Sequence, residues 1–111
     1  MMNEKTIYAL ADEINQVLFD GMLDLTELKI YVRTSTHRQG WLGYYLSGKI
    51  RIYAKDHKNS YTAMINTLAH ELVHFYQDML ECPTNHNGKI FRYYTAKWRR
   101  LTGYDFSENV K

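Results

Sequence analysis

One stretch, Ser60 to about Leu80, limits what this chain can become more than any other. It contains His70-Glu71-Leu72-Val73-His74, an HExxH pattern. Two histidines four residues apart share one face of a helix and can bind the same metal ion. The Glu between them points toward that ion and can hold a water that the ion activates. The register fits a helix. At about 100° per residue, Met64, Ile65, Leu68, Leu72, Phe75, Tyr76 and Met79 fall on one broad side. Thr67, His70, Glu71, His74, Gln77 and Asp78 fall on the other. An ordinary surface helix mixes Lys and Glu on its polar side, whereas this one has two His, two acids and no Lys or Arg. Asn59 or Ser60 serves as N-cap. The rival reading is an amphipathic helix with incidental histidines.

The rest of the chain is read around that helix. With 111 residues it forms one domain, with a core spanning about 4–102. The spacing of Ile7, Leu10, Ala11, Ile14, Val17 and Leu18 predicts a helix from Glu4 to Phe19, capped by Asn3 and stopped by Gly21. Leu28–Arg33, Trp41–Leu46 and Lys49–Ala54 read as three strands, and Ser47-Gly48 joins the last two as a hairpin. Gly40 and Gly43 mark a bulge or a close approach of another backbone. A substrate peptide lying along that strand is one such backbone, which makes Gly40, Trp41, Gly43 and Tyr44 candidate substrate contacts. Ile90, Phe91, Tyr94, Trp98 and Leu101 predict a last helix ending near Thr102, stopped by Gly103, with Tyr104–Lys111 as a tail. The expected fold class is therefore α+β, with the three strands as an antiparallel meander.

Composition excludes several functions. Net charge is +2, so no strong overall field favours nucleic acid or membrane. The single cysteine, Cys82, rules out an intrachain disulfide framework and a four-cysteine zinc ribbon, and fits a reducing compartment. No apolar run approaches the roughly 20 residues of a membrane span. The opening residues contain no apolar signal segment. A cytoplasmic monomer without membrane contact is the expectation.

A catalytic zinc takes three protein ligands and a water. The third is not the histidine of the metzincin pattern, whose positions here hold Gln77 and Leu80. Asp78 lies too close on the same helix to complete the site, and reads as a hydrogen-bond acceptor for a ligand histidine or as a surface acid. His86 is the better candidate, because Pro83 and the polar run after it turn the chain back. His37 and His57 lack partners at ligand spacing and read as solvent-exposed histidines.

In order, these features are a helix, three strands, the HExxH helix, and His86 followed by Gly88 and Phe91 at the start of a last helix. Together they resemble the SprT-like zinc metallopeptidase domain, a zincin-like fold also found in Spartan-type proteases. The resemblance runs from Gly40–Tyr45 through His70–His74 to His86, Gly88 and Phe91, and covers about residues 5–102. It departs from the family at Asn87, which separates His86 from Gly88, and in having no added zinc ribbon or DNA-binding segment. It implies His70, His74 and His86 as ligands of one zinc ion per chain, with Glu71 as general base. The implied reaction is hydrolysis of protein or peptide substrates by zinc-activated water.

Tyr93, Tyr94, Arg92 and His37 are candidate donors to the developing oxyanion. Two other functions remain open. One is a zinc-binding module without catalysis. The other is weak DNA association through the last helix, where Lys89, Arg92, Lys97, Arg99 and Arg100 are interleaved with Tyr93, Tyr94 and Trp98. If those aromatics are core, the basic residues are simply the solvated side of the helix.

Overall fold

The computed structural model describes residues 3–58 and 60–106. The chain forms a small α+β domain. Helix α1 (Glu4–Phe19) is followed by strands β1 (Lys29–Arg33), β2 (Gly43–Leu46) and β3 (Lys49–Tyr53), then helices α2 (Tyr61–Met79) and α3 (Lys89–Thr102). The caps follow local chemistry. The Asn3 side chain accepts from Thr6 N and Ser60 from Ala63 N, so each satisfies a donor at its helix start. Asn59, the other proposed cap of α2, lies outside the described residues. Asp20 and Gly21 both take left-handed backbone at the end of α1, and Gly103 does so after α3.

The sheet differs from the expected meander. Its order is β1-β3-β2, with β1 parallel to β3 and β2 antiparallel to β3. The expected hairpin is present, and Ser47 and Gly48 both have positive φ, as a tight hairpin turn requires. β1 instead lies beside β3. Burial gives the reason: Ile50 and Ile52 of β3 are fully buried, which favours flanking strands on both sides. β2 is short and carries Gly43 and two half-buried tyrosines, which suits an edge.

Ile30, Ile50 and Ile52 face the core with Ile7, Ala11, Ile14 and Leu18 of α1, Met64, Leu68 and Leu72 of α2, and Phe91, Tyr94 and Trp98 of α3. Trp98 Nε1 donates to Asn66 Oδ1 at 2.9 Å, joining α3 to α2. Three residues assigned to apolar faces, Val17, Met79 and Leu101, are exposed. The tail turns back at its start, where Phe106 packs against Trp98 and Phe91; residues 107–111 lie outside the described residues. Among the described residues, no helix is long and apolar enough to cross a membrane.

Candidate metal centre

Helix α2 is the central element and is buried nearly all round from Met64 to Gln77. Its polar side is not solvated. Thr67, His70, Glu71, His74 and Gln77 are all buried. Buried polar groups need partners, so each of them has to be accounted for.

After α2 the chain reverses through Glu81, at φ 57°, and Cys82, whose N–H donates to Gln77 O. Gln77 Nε2 donates to Asn85 O at 3.1 Å, and Gly88 N donates to Asn85 Oδ1 at 2.8 Å. These bonds fix the loop that carries His86 and absorb Asn87. They bring His86 to the α2 histidines. The Nε2 atoms of His70, His74 and His86 lie 3.1, 3.1 and 3.0 Å apart. Tetrahedral coordination with zinc–nitrogen bonds of about 2.0–2.1 Å needs nitrogens about 3.3 Å apart, so this triangle fits such an ion.

Hydrogen bonding alone cannot account for the triangle. An imidazole Nε2 presents one in-plane position, either an N–H or a lone pair. Around three nitrogens, donor and acceptor cannot alternate. At least one edge must set two lone pairs or two N–H groups against each other, unless a cation draws the lone pairs together. The protonation states agree. Burial, with the neighbouring imidazoles, holds His70 down at about 2. Burial holds His74 at about 4, against the opposing hydrogen bond to Gln77. Both rings are therefore neutral near pH 7 and can offer lone pairs. Gln77 Oε1 accepts from His74 Nδ1 at 2.7 Å, which leaves the lone pair on Nε2.

Glu71 is fully buried, and neither of its carboxylate oxygens has a partner among the described residues. Burial pushes its carboxyl well above the usual range. These two buried oxygens sit on the helix that carries two of the three converging nitrogens, and the described residues leave them unsatisfied. His70 Nδ1 is likewise buried and unpartnered, and its ring lies against Phe91 and Phe106. The Phe91 ring centre is within 5.4 Å of all three histidine ring centres. The three imidazoles can therefore hold a metal ion.

The other candidates divide. Gly43 is buried against α2: a Cβ there would lie 2.8 Å from Arg51 O, 2.9 Å from Thr67 Cγ2 and 3.7 Å from Glu71 Oε2. The close approach inferred from this glycine is real, but the approaching groups belong to β3 and α2. Gly40 has φ 75° and open space around it, so it serves the turn. The Trp41 ring stacks on that of His37 at 4.5 Å, and Tyr44 belongs to the same aromatic group. His37 is thus half-buried rather than solvent-exposed. Tyr94 is buried against Phe19 and Tyr76, and Tyr93 is exposed. Arg92 lines a pocket of about 300 Å³ together with His86 and Phe91.

The structure selects one of the two readings of Asp78 and overturns that of His57. Among the described residues, Asp78 makes no hydrogen bond to His70 or His74. It is exposed and accepts from the Tyr45 hydroxyl, and Gln77 takes the role expected of it. On a helix both i+3 and i+4 are neighbours of His74, so spacing alone does not choose between Gln77 and Asp78. His57 is not solvated: it is buried, with Nδ1 2.7 Å from Tyr53 O and Nε2 2.7 Å from Thr67 Oγ1. Its Nδ1–H donates to the carbonyl, and the Thr67 hydroxyl donates to Nε2. Tyr53 lies four residues back in the chain, a contact that ligand spacing does not reveal. No protein-family model and no curated protein matches this sequence.

Proposed function

We propose that this chain is a zinc-dependent metallopeptidase of the SprT-like, zincin class that hydrolyses peptide bonds in protein substrates. One observation carries the reading: three converging imidazole nitrogens on His70, His74 and His86, with a buried glutamate on the same helix as the first two whose two oxygens have no partner among the described residues. Three protein ligands leave a fourth position open, which suits catalysis better than a closed structural site. Zinc held by His70, His74 and His86 supplies Lewis acidity, polarising a carbonyl and making a water acidic near neutral pH.

The chain's own residues do the rest. Glu71 takes the proton from the attacking water and delivers it to the leaving amine. Gln77 fixes the His74 ring through Nδ1. Among the described residues, strand β2 pairs only with β3, so its other backbone edge can receive an extended substrate segment by strand addition. Gly43 lets that strand lie close to Glu71.

The test is cleavage of casein by zinc-loaded wild type, by chelated wild type, and by Glu71→Gln. The reading expects cleavage by the first alone, with zinc still bound to Glu71→Gln. Equal cleavage by Glu71→Gln, or a zinc-loaded wild type that cleaves nothing, would overturn it.

A further inference from the structure

The sheet has a second face, turned away from the helices, that the metal centre does not use. Alternation along the strands puts Lys29, Tyr31 and Arg33 of β1, Lys49, Arg51 and Tyr53 of β3, and Tyr44 and Leu46 of β2 on that side. The register aligns them in rows. Tyr31 lies opposite Arg51, and Arg51 opposite Tyr44, so Tyr-Arg-Tyr crosses all three strands. The Arg51 guanidinium sits 5.3 Å from the Tyr31 ring centre and 5.5 Å from that of Tyr44, and Arg33 lies 4.9 Å over Tyr31. Lys29 and Lys49 form the next row. The stacked His37 and Trp41 rings extend the aromatic surface beyond Tyr44 and Tyr53.

Charge is distributed just as unevenly. From Leu28 to Ala54 the sequence has five Lys or Arg and no Asp or Glu. None of those five is ion-paired among the described residues. The flanking acids are Glu27 and Asp56, and Asp56 accepts from the His37 N–H. A net charge of +2 conceals this concentration. Helix α3, the more obvious basic element, is less suited. Lys97 is tied to Leu18 O and Asp20, Arg99 is paired with Asp105, and Tyr94 and Trp98 are core.

We propose that this outer sheet face binds single-stranded nucleic acid, with the bases stacked on Tyr31 and Tyr44 and the phosphates held by Lys29, Arg33, Lys49 and Arg51. The chemistry is complementary on both counts. Unpaired bases offer faces to aromatic rings and to a flat guanidinium, and the backbone offers a regular row of negative charges. A duplex hides its base faces and meets only the cations. The site is independent of the metal and of the hydrolytic reading.

The experiment is fluorescence anisotropy of a labelled oligothymidylate of about 12 nucleotides against the zinc-loaded protein, with the same length of duplex DNA and with poly-glutamate as competitors. Wild type should bind the single strand at least about tenfold tighter than the duplex. Four phosphate contacts give a slope of log K against log salt near −3, since each contributes about −0.7. Lys29→Glu with Lys49→Glu should weaken binding at least about tenfold and lower that slope by about 1.4. Tyr31→Ala should weaken it at least about fivefold, and Tyr31→Phe should restore it. Lys89→Glu with Arg100→Glu on α3 changes net charge equally and should leave binding within about twofold, because both lie off the sheet. Lys29 and Lys49 are exposed strand-end residues, so that pair is tested in folded protein, confirmed by its thermal transition. No binding by wild type, equal loss in the α3 pair, equal affinity for duplex, or full displacement by poly-glutamate would each overturn the proposal.

Discussion

Gly43→Ala separates what this structure requires from what propensity alone predicts. Gly43 has no positive φ, so alanine meets no backbone penalty there. Through the unfolded chain alone, glycine to alanine at a compatible position stabilises by about 0.4–1 kcal/mol. The packing predicts the opposite sign. The new Cβ would lie 2.8 Å from Arg51 O, a backbone atom of the central strand, and 2.9 Å from Thr67 Cγ2 on a buried helix. Neither neighbour is the free end of a flexible side chain. Overpacking of this kind costs about 1–3 kcal/mol. Unfolding entropy of about 2.1 cal/mol/K per residue makes each kcal/mol worth about 4 °C in a chain this size, so Tm should fall by about 4–13 °C. Thr67→Ser removes the crowding methyl and keeps the hydroxyl that donates to His57, so in the double variant it should recover part of the loss. The assay is thermal unfolding of the zinc-loaded protein followed by circular dichroism, with casein cleavage measured alongside. A Gly43→Ala protein as stable as wild type, or more so, would refute the close approach of β2 to α2 and with it the placement of Glu71.

Other outcomes follow from the same geometry. Gln77→Leu removes the acceptor for His74 Nδ1 and the donor to Asn85 O, and should weaken zinc binding about 10–100-fold in a competition titration; Asp78→Asn should leave it unchanged. Zinc at a thousand times its Kd should raise the stability of the chelated protein by about 4 kcal/mol, read as a rise in Tm, and His86→Ala should remove most of that gain. Burial lowers the pKa of His57, so in metal-free protein the unfolded state takes up its proton first. Its contribution is complete above about pH 6.5 and is lost as pH falls toward the lowered folded value. His57→Gln should flatten the decline of stability below pH 6.5 by up to about 1.4 kcal/mol per pH unit, measured by denaturant titration at several pH values.

Much of this architecture can be read in the sequence where a short range of residues decides the outcome. The spans of α1, α2 and α3 follow from apolar spacing and from Asn3, Ser60, Gly21 and Gly103 at their ends. The pairing of His70 with His74 is a property of helix geometry. The hairpin follows from Ser47-Gly48. What escaped the sequence is long-range. The partner of β1 is set by which strand must be buried on both sides, and that depends on the helices above Ile50 and Ile52. Gln77 and Asp78 are adjacent polar residues, and only the loop bearing Asn85 decides which one faces inward. The burial of His57 is not legible in the sequence, because its carbonyl and hydroxyl partners, Tyr53 and Thr67, follow no spacing rule. The basic sheet face was hidden in a near-neutral total charge, although the acid-free run from Leu28 to Ala54 is visible to anyone who looks at charge by segment.

The most direct test of the central claim is the zinc K-edge absorption spectrum of protein loaded with one equivalent of zinc. Three histidine ligands and an open fourth position predict imidazole nitrogens at about 2.0–2.1 Å with one further oxygen, and no sulfur shell. A sulfur scatterer at about 2.3 Å, which would bring in Cys82, or a protein that retains no zinc, would contradict it.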